Sequence, residues 1–241
     1  MNLTAALLAL AVQGVQAHTA DNAPRKGAAD EKVDFDRYFE DKTMRFDFYH
    51  CGDAASEEYF FDELREEPYW AGSKVTLLDT TGYGGQLFKV IDLASGREIY
   101  SRSYCTLFNE WQTTAEAQSV RKAMPESVVF PYPKQPVRVE IYARNRKGIM
   151  EKKFEQEINP ASYFVRKFTP RYDTFEVAYT GNPSTRIDIV LIPEGYTAEE
   201  KSKFEQACRV FAEELLSYSP FKENAARINI RAVWAPSMES G

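Results

Sequence analysis

Histidine comes first in a search for metal or acid–base chemistry, because it is the commonest metal ligand and titrates near neutral pH. The 241-residue sequence holds two, His18 and His50. A helix that grips a metal with two imidazoles needs them at i and i+4, on one face, and no such pair is present. His50 does sit in the run His50-Cys51-Gly52-Asp53, which contains three ligand types. It follows a strand, however, and neighbours on a strand point to opposite faces, so His50 and Cys51 cannot easily share an ion. The expected role of His50 is structural.

Other sources of chemistry are thin. Nucleophile elbows of the G-x-S-x-G type and phosphate-binding P-loops are absent. Gly82-Tyr83-Gly84-Gly85 is glycine-rich but lies between two expected strands, with no helix N-terminus to receive a phosphate, and reads as a turn. The acidic clusters Glu57-Glu58, Asp62-Glu63 and Glu66-Glu67 read as a solvated face, with a calcium site as the alternative. Tyr69, Trp70 and Trp111 are either core and rim residues or a platform for stacking sugars. Of the three cysteines, Cys51 and Cys105 can pair in an oxidising compartment, leaving Cys208 single; the alternative is three buried thiols acting as small hydrophobes. No Cys-x-x-Cys occurs, which excludes a cysteine zinc site. No residue is therefore assigned a catalytic or metal-binding role.

Charge narrows the field further. The net charge is −6 and the 30 basic residues are spread along the chain, so no basic stripe exists to neutralise phosphates. Nucleic acid is not an expected partner. Residues 3–15 are apolar but too short to span a bilayer, which needs roughly 20 such residues. Val15-Gln16-Ala17 has the small residues that a signal peptidase accepts, so residues 1–17 are expected to be a secretory signal, cut just before His18. The apolar core lacks the usual preceding Lys or Arg, and a disordered or buried N-terminal helix is the alternative. No membrane span is expected. Residues 18–34 hold almost no large apolar side chains and should form a flexible lead.

The elements that would position any site follow from periodicity. With 44% apolar and 14% aromatic residues, the chain can build a core. From residue 43 to about 158 the period is two: Met44, Phe46 and Phe48 alternate with Arg45, Asp47 and Tyr49. Strands are expected at 75–78, 87–91, 98–101, 128–130, 137–143 and 150–158, with hairpin loops at Gly96 and Gly148 and an edge position for the strand that ends in Pro131 and Pro133. Thr113 with Glu116 forms a capping box that predicts one helical insert, reaching to about Ala123. This pattern predicts an antiparallel β-sandwich over 35–160.

Residues 161–184 read as a strand-like crossover closed by Gly181-Asn182-Pro183. After it the pattern changes. Residues 187–192 form an almost unbroken apolar run, as in a strand buried on both faces. Thr197 and Glu200 make a second capping box, followed by the helical stripe Phe204, Cys208, Phe211 and Leu215; residues 228–234 form another strand. Strand, helix and strand in this order predict parallel neighbours. One helix covers one face of such a sheet, so residues 185–241 are expected to be an incomplete unit with an apolar face left open.

Several phrases carry a family resemblance. Tyr49-His50-Cys51-Gly52, Glu67-Pro68-Tyr69-Trp70-Ala71-Gly72, Thr106-Leu107-Phe108-Asn109-Glu110-Trp111-Gln112-Thr113 and Pro125-Glu126-Ser127-Val128-Val129-Phe130-Pro131-Tyr132-Pro133 resemble the N-terminal domain of the IgA-peptidase-like family of bacterial zinc metallopeptidases. Asp188-Ile189-Val190-Leu191-Ile192-Pro193-Glu194-Gly195-Tyr196-Thr197, Tyr218-Ser219-Pro220-Phe221 and Asn229-Ile230-Arg231-Ala232-Val233-Trp234 through Glu239-Ser240-Gly241 resemble the start of its catalytic domain.

The resemblance implies a mostly β N-terminal domain followed by a partial α/β strand–helix–strand unit of a zincin-like catalytic domain. It also implies a bacterial protein that is secreted or held in the periplasm or cell envelope. In such peptidases zinc sits on a His-Glu-x-x-His helix, which no residue here matches. Zinc is thus expected in the complete family member and not in this chain. A protein or peptide substrate would be met through the complete enzyme, and the 241-residue chain is expected to be inactive and prone to self-association. The rival reading is a self-sufficient secreted module that binds protein or glycan without catalysis.

Overall fold

The computed structural model describes residues 32–241. The expected signal at 1–17 and most of the lead lie outside the described residues. Val33, placed by the sequence in the lead, is buried, and the Asp34 carboxylate accepts from the amides of Asp36 and Arg37 to start α1 (Phe35–Tyr38). The chain continues through β1 (Phe39–Gly52), β2 (Glu57–Glu67), β3 (Gln86–Asp92), β4 (Glu98–Tyr104) and α2 (Leu107–Trp111). Then come β5 (Lys122–Pro133), β6 (Val137–Arg144), β7 (Met150–Ile158), β8 (Val165–Lys167) and β9 (Asp173–Ala178), followed by β10 (Ile187–Leu191), α3 (Lys201–Leu215) and β11 (Ile228–Trp234).

Strands β1 to β8 form two facing sheets, as the alternation requires. One has the strand order β5-β1-β2-β8, the other β4-β3-β6-β7. Met44, Phe46 and Phe48 of β1 point inward with Phe130 of β5, against Phe88, Val90, Val139 and Ile141 of the second sheet. Aromatic pairs bridge the layers: Phe88 to Phe130 at 6.3 Å and Phe46 to Phe154 at 6.4 Å between ring centroids. The proline-rich strand β5 is an edge strand, as expected, since it pairs only with β1. Gly96 and Gly148 take the positive φ that their hairpin loops need.

Two expectations fail here, each for a local reason. Residues 75–78 form no strand, because the Ser73 hydroxyl accepts from the amides of Val75 and Thr76 and holds a turn instead. The helix expected from Thr113 also does not form. Glu116 sends its carboxylate to Trp111 Nε1 at 2.8 Å and Lys122 Nζ at 2.6 Å rather than back to Thr113, leaving a single 3₁₀ turn at Glu116–Gln118. The helix in this insert is α2, capped by Thr106. The acidic stretch read as a solvated face keeps Glu58 and Asp62 exposed, and it lies on a strand, β2, that the pattern did not show. A bulge pairs Asp47 with Glu63 and Phe48 with Phe61, so Asp62 is extra and the period-two signal is broken. Its outward acids pair with arginines: Glu63 with Arg65 of the same strand and with Arg166 of β8, and Glu67 with Arg45 of β1.

Residues 161–184 contribute one strand to each part: β8 adds parallel to β2, and β9 adds antiparallel to β11. The third sheet has the order β10-β11-β9, with β10 and β11 parallel as the strand–helix–strand pattern predicts. Helix α3 packs Phe204, Cys208 and Ala212 onto it. The stripe therefore runs i, i+4, i+8, and Phe211 stays exposed. Strand β10 is not buried on both faces. It lies at an edge, where Ile187, Val190 and the following Ile192 are 60%, 55% and 72% exposed.

Candidate functional site

The polar centre of the sandwich is built around His50, the last inward position of β1. Its side chain is fully buried, with the ring stacked between Tyr59 of β2 at 4.2 Å and Phe108 of α2 at 3.8 Å. Nδ1 lies 3.1 Å from Glu126 Oε1 and Nε2 lies 3.3 Å from Glu57 Oε2. The same Glu126 oxygen accepts from the Thr106 hydroxyl, and Glu57 accepts from Tyr59 OH at 3.3 Å. Beside them Gln86 and Asn109 exchange two amide hydrogen bonds. Burial by itself would push the His50 pKa down, but the hydrogen bonds to Glu126 and Glu57 and their charges outweigh it and raise it. For Glu57 burial works upward, and His50 and Lys153 more than reverse it, leaving the carboxyl below its ordinary value. Burial raises the Tyr59 and Tyr104 phenols far above theirs.

This constellation cannot act as a metal or nucleophilic centre. Both imidazole nitrogens are occupied by carboxylates, and the rings of Tyr59 and Phe108 close the two faces. Cys51 is half-buried on the opposite side of β1, where Glu58 is a neighbour, and Asp53 folds back onto Ala55 and Ser56. The ligand types of His50-Cys51-Gly52-Asp53 thus diverge, as strand geometry requires. No group of three or more His, Cys, Asp or Glu residues that could hold a metal occurs among the described residues.

Sequence reasoning did not connect Glu57, Glu126 and Thr106 with His50. One signal was available: Glu126 falls in the inward phase of Met124, Val128 and Phe130, where a charge needs a buried partner.

The remaining candidates separate. Trp70 and Trp111 are buried, donating to Ser73 O and Glu116, and only Tyr69 is exposed, so the three form no stacking platform. Gly82-Tyr83-Gly84-Gly85 is a turn organised by Asp79, whose carboxylate accepts from the amides of Thr81, Gly82 and Ser103. Cys51, Cys105 and Cys208 are all free; Cys208 is the one buried thiol, and Cys105 is exposed. Between the sandwich and the open face of the third sheet lies a cleft of about 930 Å³, walled by Tyr69, Phe168, Pro170, Tyr172, Val190 and Val233. It is an open, largely apolar surface bordered by Arg65, Glu67, Arg171 and Arg231.

The comparisons with known families divide the chain much as its sheets do. Residues 34–155, from α1 into β7, match the family model described as Peptidase M64 N-terminus. Residues 175–241, from β9 onward, match the model described as IgA Peptidase M64. The chain belongs to the IgA peptidase M64 family. No match is found among curated proteins. M64 proteins are metallopeptidases, which makes proteins the substrates of the family. Among the described residues of this M64 chain the donor set does not fit a catalytic zinc, since the single histidine there, His50, has both nitrogens engaged.

Proposed function

We propose that the chain supplies the accessory β-sandwich and the opening strand–helix–strand unit of a secreted zinc metallopeptidase, and does not hydrolyse peptides on its own. The observation that carries this reading is the pairing of the two M64 matches with a sequence that has no two histidines one helical turn apart. Zinc would be held by residues of the complete family member, and protein or peptide substrates would be met there. Export rests on the apolar run at 3–15 and the Val15-Gln16-Ala17 cleavage signal. No helix among the described residues is long and apolar enough to cross a membrane.

The test is direct. The purified 241-residue chain is incubated with casein or immunoglobulin, with zinc and with a chelator, and its bound zinc is measured by elemental analysis. No chelator-sensitive cleavage and no stoichiometric zinc are expected. Cleavage abolished by the chelator and restored by zinc would overturn the reading. N-terminal sequencing of the exported protein should begin at His18.

A further inference from the structure

Both ring nitrogens of the buried His50 face carboxylate oxygens, Nδ1 toward Glu126 and Nε2 toward Glu57. Only an imidazolium carries a proton on each nitrogen; a neutral ring donates to one carboxylate and turns a lone pair toward the other. The two sides are not equivalent. Glu57 also accepts from Tyr59 OH and lies 3.6 Å from Lys153 Nζ of β7. Glu126 pairs with no other cation among the described residues, and its Oε2 is buried without a hydrogen-bond partner.

Glu126 is also the link to the insert. Its Oε1 receives Thr106, the N-cap of α2, and α2 with the Glu116–Gln118 turn packs a small core of Phe108, Trp111 and Ala117 against the sandwich. Around His50 the titratable groups are Glu57 and Tyr59 from β2, Glu126 from β5 and Tyr104 from β4, with Lys153 beyond Glu57. Phe108 and Thr106 bring no charge from the insert.

We propose that this cluster is a proton-operated latch, in which imidazolium His50 holds Glu126, and through it the insert at residues 106–118, against the sandwich. When a solvent base takes one N–H proton, only that N–H bond breaks, and the cluster passes from one net negative charge to two. A second uncompensated charge in a buried site is costly. The Glu126 side yields, because Glu57 keeps Lys153 while Glu126 borders a cavity of about 420 Å³ that opens to solvent beside Thr106 and Leu107. The insert also walls a second cavity of about 730 Å³ through Asn109 and Gln112, so its release would uncover both. The direction agrees with the raised His50 pKa: the latch is fully closed below the ordinary imidazole value and is lost as pH rises through the higher, folded-state value.

Amide exchange of the full chain, corrected for intrinsic rates, is measured by mass spectrometry from about pH 5.5 to about pH 9. Peptides covering residues 106–118 should open up to about tenfold more per pH unit across part of this range. Peptides from β6 should stay flat. Glu126→Gln should remove the pH dependence at the insert. To keep the test independent of that variant's folding, ring ¹⁵N shifts of His50 are read in the wild type, where both nitrogens should be protonated at the acidic end. A flat wild-type profile at 106–118, or a ring that is neutral throughout, would overturn the proposal.

Discussion

Asn229 Nδ2 donates to Asp188 Oδ1 at 2.8 Å, directly across the parallel pair β11 and β10. The same amide group donates to Gly181 O at 2.9 Å and accepts from the Thr180 amide at 2.8 Å. One buried side chain thus ties both strands to the turn through which the chain enters β10. Asn229→Ala would strand the half-buried Thr180 amide and Gly181 carbonyl, each at a cost toward the low end of roughly 1–3 kcal/mol. The loss should be local: limited proteolysis should quicken after Asn182, while fragments of the sandwich persist. Equal protection before and after that turn would refute the role given to Asn229.

Phe46 and Phe60 make a paired test of the sandwich core. Phe46 is fully buried, with Phe48, Phe61 and Phe154 around it, whereas Phe60 is exposed on β2. Phe46→Ala should cost about 3–5 kcal/mol in urea unfolding. Phe60→Ala should stay within about 0.5 kcal/mol of wild type. Similar costs for the two would mean that β1 and β2 are not in the register described.

Asp79 should shape the acid limb of stability. Burial would raise its carboxyl, but the hydrogen bonds from Ser103, Gly82 and Thr81 outweigh it and hold the group well below the usual carboxylate range. A depressed folded-state pKa stabilises above the unfolded value of about 3.9 and is lost as pH falls through the folded one. Asp79→Asn should therefore be less stable at neutral pH, on the order of 1 kcal/mol given its partial exposure, and converge on wild type in strong acid. A constant difference at every pH would contradict this.

The exposed side chains of β10 predict surface behaviour. Val190 and Ile192 leave an apolar strip on the third sheet, next to the apolar cleft. The chain should bind a hydrophobic dye and self-associate with rising concentration, and Ile192→Ser should lower both. A monodisperse, dye-silent protein would remove the basis for this prediction.

Local pattern alone determined much of this protein. Alternation at Met44, Phe46 and Phe48, the hairpin glycines Gly96 and Gly148, the edge prolines of β5 and the strand–helix–strand run from Ile187 to Trp234 are short-range signals, and each became the element it predicts. What the pattern did not show was decided by where particular side chains came to lie once the chain had folded. Whether Glu116 would cap a helix depended on where Trp111 Nε1 and Lys122 came to lie. Whether β2 was a strand depended on a bulge and on arginines supplied by β1 and β8. The His50 cluster was the least legible part, because its carboxylates lie 7 and 76 residues away in sequence. A lone histidine does not announce its partners. Only the stacking of β1 between β2 and β5, with α2 closed over the end, brings Glu57, Glu126 and Thr106 to one buried ring. There the low dielectric makes their charges and hydrogen bonds matter.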